Sequence, residues 1–252
     1  MGVAPGPSPF LFRVPHDRRP PALAEGIPDR LYGRRRGHPL RPRQQRLLDE
    51  TLPRLRLSPE AAADPRAAFG IPVTAVWLEV GFGGGEHALE HVRANPGIGY
   101  IASEVFENGL CSLLSRLVAE GEEASGTLPP NLLLWPQDAR HLLGLLPAGC
   151  LDRLMLMFPD PWPKARHAKR RFVNPALLPL VARALRPGGE WRIASDDPTY
   201  QGWMAEVLAA QTLFTAPPPA TARPAGWPGT RYEAKALREG RQPLYWTLER
   251  RG

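Results

Sequence analysis

The chain has 252 residues, 43% of them hydrophobic, enough for one sizeable core or one domain with an appendage. No apolar run is long enough to span a bilayer, no basic start leads into an apolar stretch, and two distant cysteines show no metal or redox spacing. Neither a membrane span, a secretory leader nor a disulfide framework is therefore expected, and a reducing, cytoplasmic setting fits. The net charge of +7 is uneven: residues 1–56 hold 12 Arg or Lys against 5 Asp or Glu, and the remainder holds 20 against 20, so a basic arm on a neutral body points to a polyanion such as nucleic acid, with a solvated tail as the alternative.

Residues 1–30 are rich in Pro, Gly and Arg without periodicity and read as a flexible arm. Residues 31–75 keep the charge and gain apolar anchors, so they are expected to pack on the core, with a short helix near 44–52. From residue 76 apolar strands alternate with helices. "VWLEV" (76–80), "IGYIASEV" (98–105), "NLLLWP" (131–136), "LDRLMLMF" (151–158) and "EWRIASD" (190–196) read as five strands, with helices at 108–121, 174–189 and 198–211 among the connections. That alternation argues for a parallel sheet covered on both faces. "TRYEAKAL" (230–237) and "PLYWTLER" (243–250) read as two β segments, hence a terminal antiparallel hairpin.

"LEVGFGGGEH" places Gly81, Gly83 and Gly85 between a strand and a helix, where glycines permit a sharp turn and close backbone approach to a ligand. Glu86 stands where a dinucleotide fingerprint has its third glycine, and no G-K-[ST] follows. Glu104 closes the second strand, where a carboxylate accepts from ribose hydroxyls. Asp138 closes the third, in position for an adenine amine, and Glu79 stands in the buried first strand, where it needs a partner such as an ammonium. With Asp160 beyond the fourth strand these make four acids around one ligand, which imply no phosphate and tilt the reading from a dinucleotide to S-adenosylmethionine. His87 and His91, four apart without the H-E-x-x-H order, read as a surface helix pair and not as zinc ligands; no metal is expected.

"FPDPWPKARHAKRR" (158–171) follows the fourth strand. If that strand neighbours the first, Asp160 faces the reactive end of the ligand, with Pro159 and Pro161 fixing the backbone around it. Trp162 offers a wall on which a base stacks, and Lys164, Arg166, His167, Lys169, Arg170 and Arg171 offer phosphate contacts.

These segments, with "SEVFENGLCSLL" and "SDDPTYQGWM", resemble the bacterial tRNA (guanine-N(7)-)-methyltransferases of the TrmB type from about residue 31 to the end. The resemblance implies a class I S-adenosylmethionine-dependent methyltransferase fold over 76–252 (Rossmann-like, mainly parallel) and methyl transfer to guanine N7 in the tRNA variable loop. It implies that Glu79, Glu104 and Asp138 bind S-adenosylmethionine, that Asp160 is the active-site acid and also touches cofactor, and that Lys164 and Asp196 bind substrate. Thr230, Arg231, Tyr232 and Glu233 stand where the family has Thr-Lys-Phe-Glu at the substrate. An NAD-dependent oxidoreductase and a non-catalytic RNA-binding domain remain the alternatives.

Overall fold

The computed structural model of the protein describes residues 30–33 and 35–252; the arm expected over residues 1–30 lies, except for Arg30, outside them. Seven strands form one sheet: β1 Ala75–Val80, β2 Ile98–Ser103, β3 Leu132–Trp135, β4 Leu151–Met157, β5 Leu185–Ser195, β6 Phe214–Thr215 and β7 Leu244–Arg250. Their order is β3-β2-β1-β4-β5-β7-β6. The first five are parallel, while β7 runs antiparallel between β5 and β6. The helices are α1 Pro42–Arg46, α2 Glu86–Ala94, α3 Glu107–Leu114, α4 Ala139–Leu145, α5 Leu178–Ala184, α6 Pro198–Ala209 and α7 Arg231–Arg238.

Period-two alternation sends side chains of each central strand to opposite faces. On one face Val76, Leu78, Ile101, Leu154, Leu156, Trp191 and Ile193 form a core with α4, α5 and α6. On the other, Tyr100, Ala102, Leu132, Leu134, Met155 and Met157 pack with α2 and α3. Both faces are dry because helices cover both, which is why β4 reads as a continuous apolar run. The 42–55 region belongs to the second face: α1 continues through a wider turn at Leu47–Thr51, Leu47 and Leu55 are buried, and the Thr51 hydroxyl donates to the Glu123 carbonyl at 2.7 Å. Leu57 and Leu55 also exchange backbone bonds with Leu134, capping the β3 edge. No described helix is long and apolar enough to cross a membrane.

The strand order reverses between β1 and β4, whose register pairs Glu79 with Met155. In such sheets the crevice beyond the carboxyl ends at the reversal is the natural ligand site. The glycine turn leaves β1 there, and the 158–171 segment leaves β4 there.

Two expectations are corrected. The helix expected over 174–189 ends at Ala184, and β5 already begins at Leu185. Residues 230–237 are not a strand but the N-cap of α7 and all of that helix except Arg238. Thr230 and Glu233 form a capping box: the Thr230 hydroxyl accepts the Glu233 N–H at 3.0 Å, and the Glu233 carboxylate accepts the Thr230 N–H at 3.4 Å. The following Ala, Lys, Leu and Arg are good helix formers, so cap and propensity agree. Only "PLYWTLER" is a strand, and its antiparallel neighbours are β5 and β6. Thr230→Ala should lower stability by about 1 kcal/mol, the usual value of a lost N-cap, and the melting midpoint by about 2–4 °C in a chain of this size. Calorimetry on Thr230→Ala and Thr230→Ser separates the cap from general damage; serine should restore the midpoint, and an unchanged midpoint in the alanine variant would show that the cap does not hold α7.

Candidate active site

Beyond the carboxyl ends of β1, β2, β3 and β4 lies a cavity of about 760 Å³. Its lining includes Gly81 and Gly83 from the glycine turn, Glu104 after β2, Asp138 before α4, Asp160 and Trp162 after β4, and Tyr232 from α7. Sites for molecules the size of a cofactor fall in this range.

The glycine turn is built on three left-handed residues, Gly81, Gly83 and Gly85, with φ of 73°, 60° and 84°. Such values suit glycine, whereas a Cβ would be strained. A Cβ on Gly83 would also approach the Tyr232 ring to 3.1 Å, so Tyr232 lies directly over the turn. The turn is fastened to β2 through Glu104, whose carboxylate accepts the N–H groups of Gly83 at 2.8 Å, Val105 at 2.8 Å and Phe106 at 3.0 Å. Burial raises the Glu104 pKa above the usual carboxylate range, against the pull of those three amides. Asp138 is the N-cap of α4: it accepts the Arg140 N–H at 2.9 Å and pairs with the Arg140 guanidinium at 2.6 Å.

Glu79 points away from the main cavity, onto the α2 face. It borders a small adjoining pocket shared with His87, Met157 and Arg231. Its partners are internal: the Tyr100 hydroxyl donates to it at 2.6 Å, and His87 Nδ1 stands 3.1 Å away at ion-pair distance without hydrogen-bond geometry. Burial opposes the charge, but His87 and the Tyr100 hydroxyl outweigh it and lower the Glu79 pKa. His87 and His91, expected on the surface, are both buried, because α2 turns this face to β1 and β2. His91 stacks on Tyr100 and meets Trp77 edge-on.

The 158–171 segment is held by backbone strain and by one arginine. Phe158 and Trp162 have φ of 52° and 44°, left-handed values that non-glycine residues seldom adopt. Each precedes a proline, which normally forces an extended backbone. The Arg171 guanidinium accounts for how the shape persists: it donates to the carbonyls of Pro161 and Trp162, both at 3.0 Å, and lies over the Trp203 ring. Arg171 is therefore buried in the loop's support, a correction to its expected place among the phosphate contacts. Asp160 is left exposed at the cavity rim. Lys164, Arg166 and Lys169 are exposed around the 3-10 turn Ala165–Arg170. Arg170 and His167 are half-buried against Trp162. Burial, then the cations of Arg170, Arg166 and Lys164, hold His167 below the ordinary histidine range.

Of the remaining expected residues, Asp196 lies outside the cavity lining and pairs with Arg241 at 3.0 Å, while its neighbour Asp197 caps α6 through the Tyr200 N–H. Glu233 is buried and takes up the Tyr245 hydroxyl at 2.5 Å and Arg223 at 3.1 Å, so Thr230 and Glu233 hold α7 while Tyr232 faces the cavity and its hydroxyl accepts from Arg231 at 2.9 Å. The Tyr100–His87 pair behind Glu79 escaped sequence reasoning, although the i, i+4 histidines facing a strand acid were its visible trace.

A mainly parallel sheet with β7 inserted antiparallel, a glycine turn after β1 and acids at the ends of β2 and β3 define the class I methyltransferase fold. The family model described as "Putative methyltransferase" matches residues 74–245. A tRNA (guanine-N(7)-)-methyltransferase of Granulibacter bethesdensis is 60% identical over 233 residues, 92% of this chain and all of that protein. One of Rhodospirillum rubrum is 48% identical over 231 residues, 88% of each chain. Among solved structures, that of the 16S rRNA methyltransferase KamB aligns with a TM-score of 0.52 at 19% identity, over 71% of this chain and 89% of that one, a likeness of fold. The chain belongs to the tRNA (guanine-N(7)-)-methyltransferases and is an enzyme of that type.

The buried histidine gives a pH prediction. Burial, with the His87, Arg153 and Arg192 charges, pushes His91 down to about 3 against the pull of Glu79. The unfolded chain takes up that proton near the ordinary value of 6.5, the folded chain only near 3. The stability that neutral His91 contributes is thus complete above pH ~7.5 and is lost as pH falls through ~6.5. Between pH 7.5 and 5 the loss should be about 2 kcal/mol. Urea titrations across that range should show the slope in the native chain and a flatter one in His91→Gln; equal slopes would contradict the assignment.

Proposed function

We propose that this enzyme transfers a methyl group from S-adenosylmethionine to nitrogen 7 of a guanine in the variable loop of tRNA, in the cytoplasm. The observation that carries the reading is the shared cavity: strand-end carboxylates line one side, and the Asp160–Trp162 loop, which continues into an exposed basic turn, lines the other.

The residues fit that cofactor by their chemistry. The Glu104 carboxylate accepts two backbone amides on Oε1 and one on Oε2, and the lone pair left on Oε2 can accept from a ribose hydroxyl. Asp138 offers an acceptor at the adenine end, and the Cβ-free Gly81 and Gly83 allow close approach of backbone to ligand. A carboxylate-rich lining suits a ligand carrying an ammonium and a sulfonium, and Glu79 adds negative charge behind it. When bound, S-adenosylmethionine supplies an electrophilic methyl group.

Guanine N7 has a lone pair and no proton to remove, so the reaction needs alignment more than a base. The guanine gains positive charge as the methyl arrives. Asp160, fixed at the rim by the strained loop, stabilises that charge or grips the N–H edge of the base. Trp162 is the flat apolar surface beside it. Lys164, Arg166 and Lys169 meet phosphates, as do residues of the basic arm. Asp196, Arg231 and Tyr232 are proposed at the substrate, with Thr230 and Glu233 acting through the helix they cap. Both thiols, Cys111 and Cys150, are pushed by burial up to about 11, so neither is a nucleophile at neutral pH.

Incubation of unmodified tRNA with methyl-labelled S-adenosylmethionine, followed by nucleoside analysis, should yield labelled 7-methylguanosine; label in another nucleoside or none would refute the reading. In single-turnover assays at saturating tRNA, Asp160→Asn should slow methylation by ~10²-fold or more, about 2.7 kcal/mol, with tRNA affinity little changed. Lys164→Ala should chiefly weaken tRNA binding, and less so at high salt. A near-native single-turnover rate in Asp160→Asn would reduce the acid to a turn residue.

A further inference from the structure

Residues 30–33 and 35–38 strap the cavity mouth. At one end the Arg30 carbonyl accepts from the Arg140 guanidinium at 3.0 Å, at the start of α4. At the other, the Glu107 N–H donates to the Arg35 carbonyl at 2.9 Å, and the Gly37 N–H donates to the Asn108 side chain at 3.1 Å, at the start of α3. Between these two fastenings Leu31, Tyr32 and Gly33 line the cavity.

Tyr32 does more than fill space. Its ring meets Trp162 edge-on at 6.5 Å, and the Arg170 guanidinium lies 4.9 Å from the Tyr32 ring centre and 4.8 Å from that of Trp162. A cation thereby contacts two aromatic rings from distant parts of the chain, which also touch each other. Arg170 lines the same cavity, yet its Nε is buried and has no hydrogen-bond partner among the described residues. Its Nη groups, which are not buried, make no hydrogen bond to a described residue either, so the guanidinium presents free charged donors to the cavity. This differs from the exposed Lys164, Arg166 and Lys169, which suit phosphates along the surface.

We propose that Tyr32 is a positioning residue: with Trp162 it holds the Arg170 guanidinium toward the target nucleotide, an oxygen of which, guanine O6 or a phosphate, accepts from an Nη group. The inference rests on the tRNA-methylating reading. Tyr32→Ala should lower the single-turnover rate at saturating tRNA by about tenfold or more, since loss of alignment acts on the chemical step. The tRNA dissociation constant should change less than about twofold. Tyr32→Phe, which keeps the ring, should restore the rate. Tyr32→Leu fills the space without an aromatic face and should behave as alanine does, which covers the case that alanine unsettles the strap. Arg170→Ala should show a similar loss, and the double variant no more than Arg170→Ala alone, because the two act as one unit. A tRNA carrying 2-aminopurine at the target position keeps N7 and lacks O6. On it, a vanished Arg170→Ala defect identifies O6 as the acceptor, and a persisting defect identifies phosphate. A native rate in both Tyr32→Ala and Tyr32→Leu, additive losses in the double variant, or a loss confined to tRNA affinity would overturn the proposal. Wild-type protein that leaves tRNA unmethylated would overturn the underlying reading, and the proposal with it.

Discussion

The site depends on a backbone shape that the chain would not hold unaided. Phe158 and Trp162 are left-handed, and each stands before a proline. Strain of this kind costs about 1–3 kcal/mol per residue. Two hydrogen bonds from the buried Arg171 guanidinium, to the Pro161 and Trp162 carbonyls, offset it; bonds to a charged group contribute about 1.5–3 kcal/mol each. The fork of arginine matches two adjacent carbonyls, which a lysine cannot do. This clamp sets the outward course of the chain after β4: Asp160 at the rim, Trp162 as a wall, and the basic turn beyond.

The opposite wall uses a different device. Glu104 ties the glycine turn to β2 with three backbone bonds, so the loop that must approach a ligand closely is stiff before any ligand arrives. α3 presses on the same turn: a Cβ on Gly109 would lie 2.5 Å from the Gly83 carbonyl. Behind it, Glu79, His87 and Tyr100 form a charged group buried under α2. A buried carboxylate persists only with such partners, and the same pairing keeps negative charge beneath the turn. Preorganisation on both walls suits a reaction whose demand is alignment.

The fold was largely legible because long apolar strands alternated with helices and each was bounded by Gly, Pro or an acid. The neighbouring of β1 and β4 was a supposition at that level, and the sheet order bears it out. The error at 230–237 shows how local signals compete: Thr-Arg-Tyr suggested a strand, while Thr230 and Glu233, three apart, carried a helix start. The acids facing the cavity, Glu104, Asp138 and Asp160, were legible because each closes or follows a strand. The roles of arginines were not. Lys164 and Arg171 look alike in a basic run, and only the direction of each side chain separates a surface cation from a buried clamp. Glu79 was legible as a buried acid in need of a partner, but His87 and Tyr100 as internal partners required knowing which face of β1 meets α2.

The measurement bearing most directly on this account is single-turnover methylation of tRNA by Arg171→Lys, alongside calorimetry and S-adenosylmethionine binding. Lysine keeps the charge and loses the fork. If the clamp sets the position of Asp160, the protein stays folded and binds cofactor within about threefold, while the methylation rate falls by ~10²-fold, as expected for misalignment on the order of 1 Å. A lysine variant that methylates at the native rate would show that the loop keeps its shape without the clamp, and the account of how the site is built would be wrong.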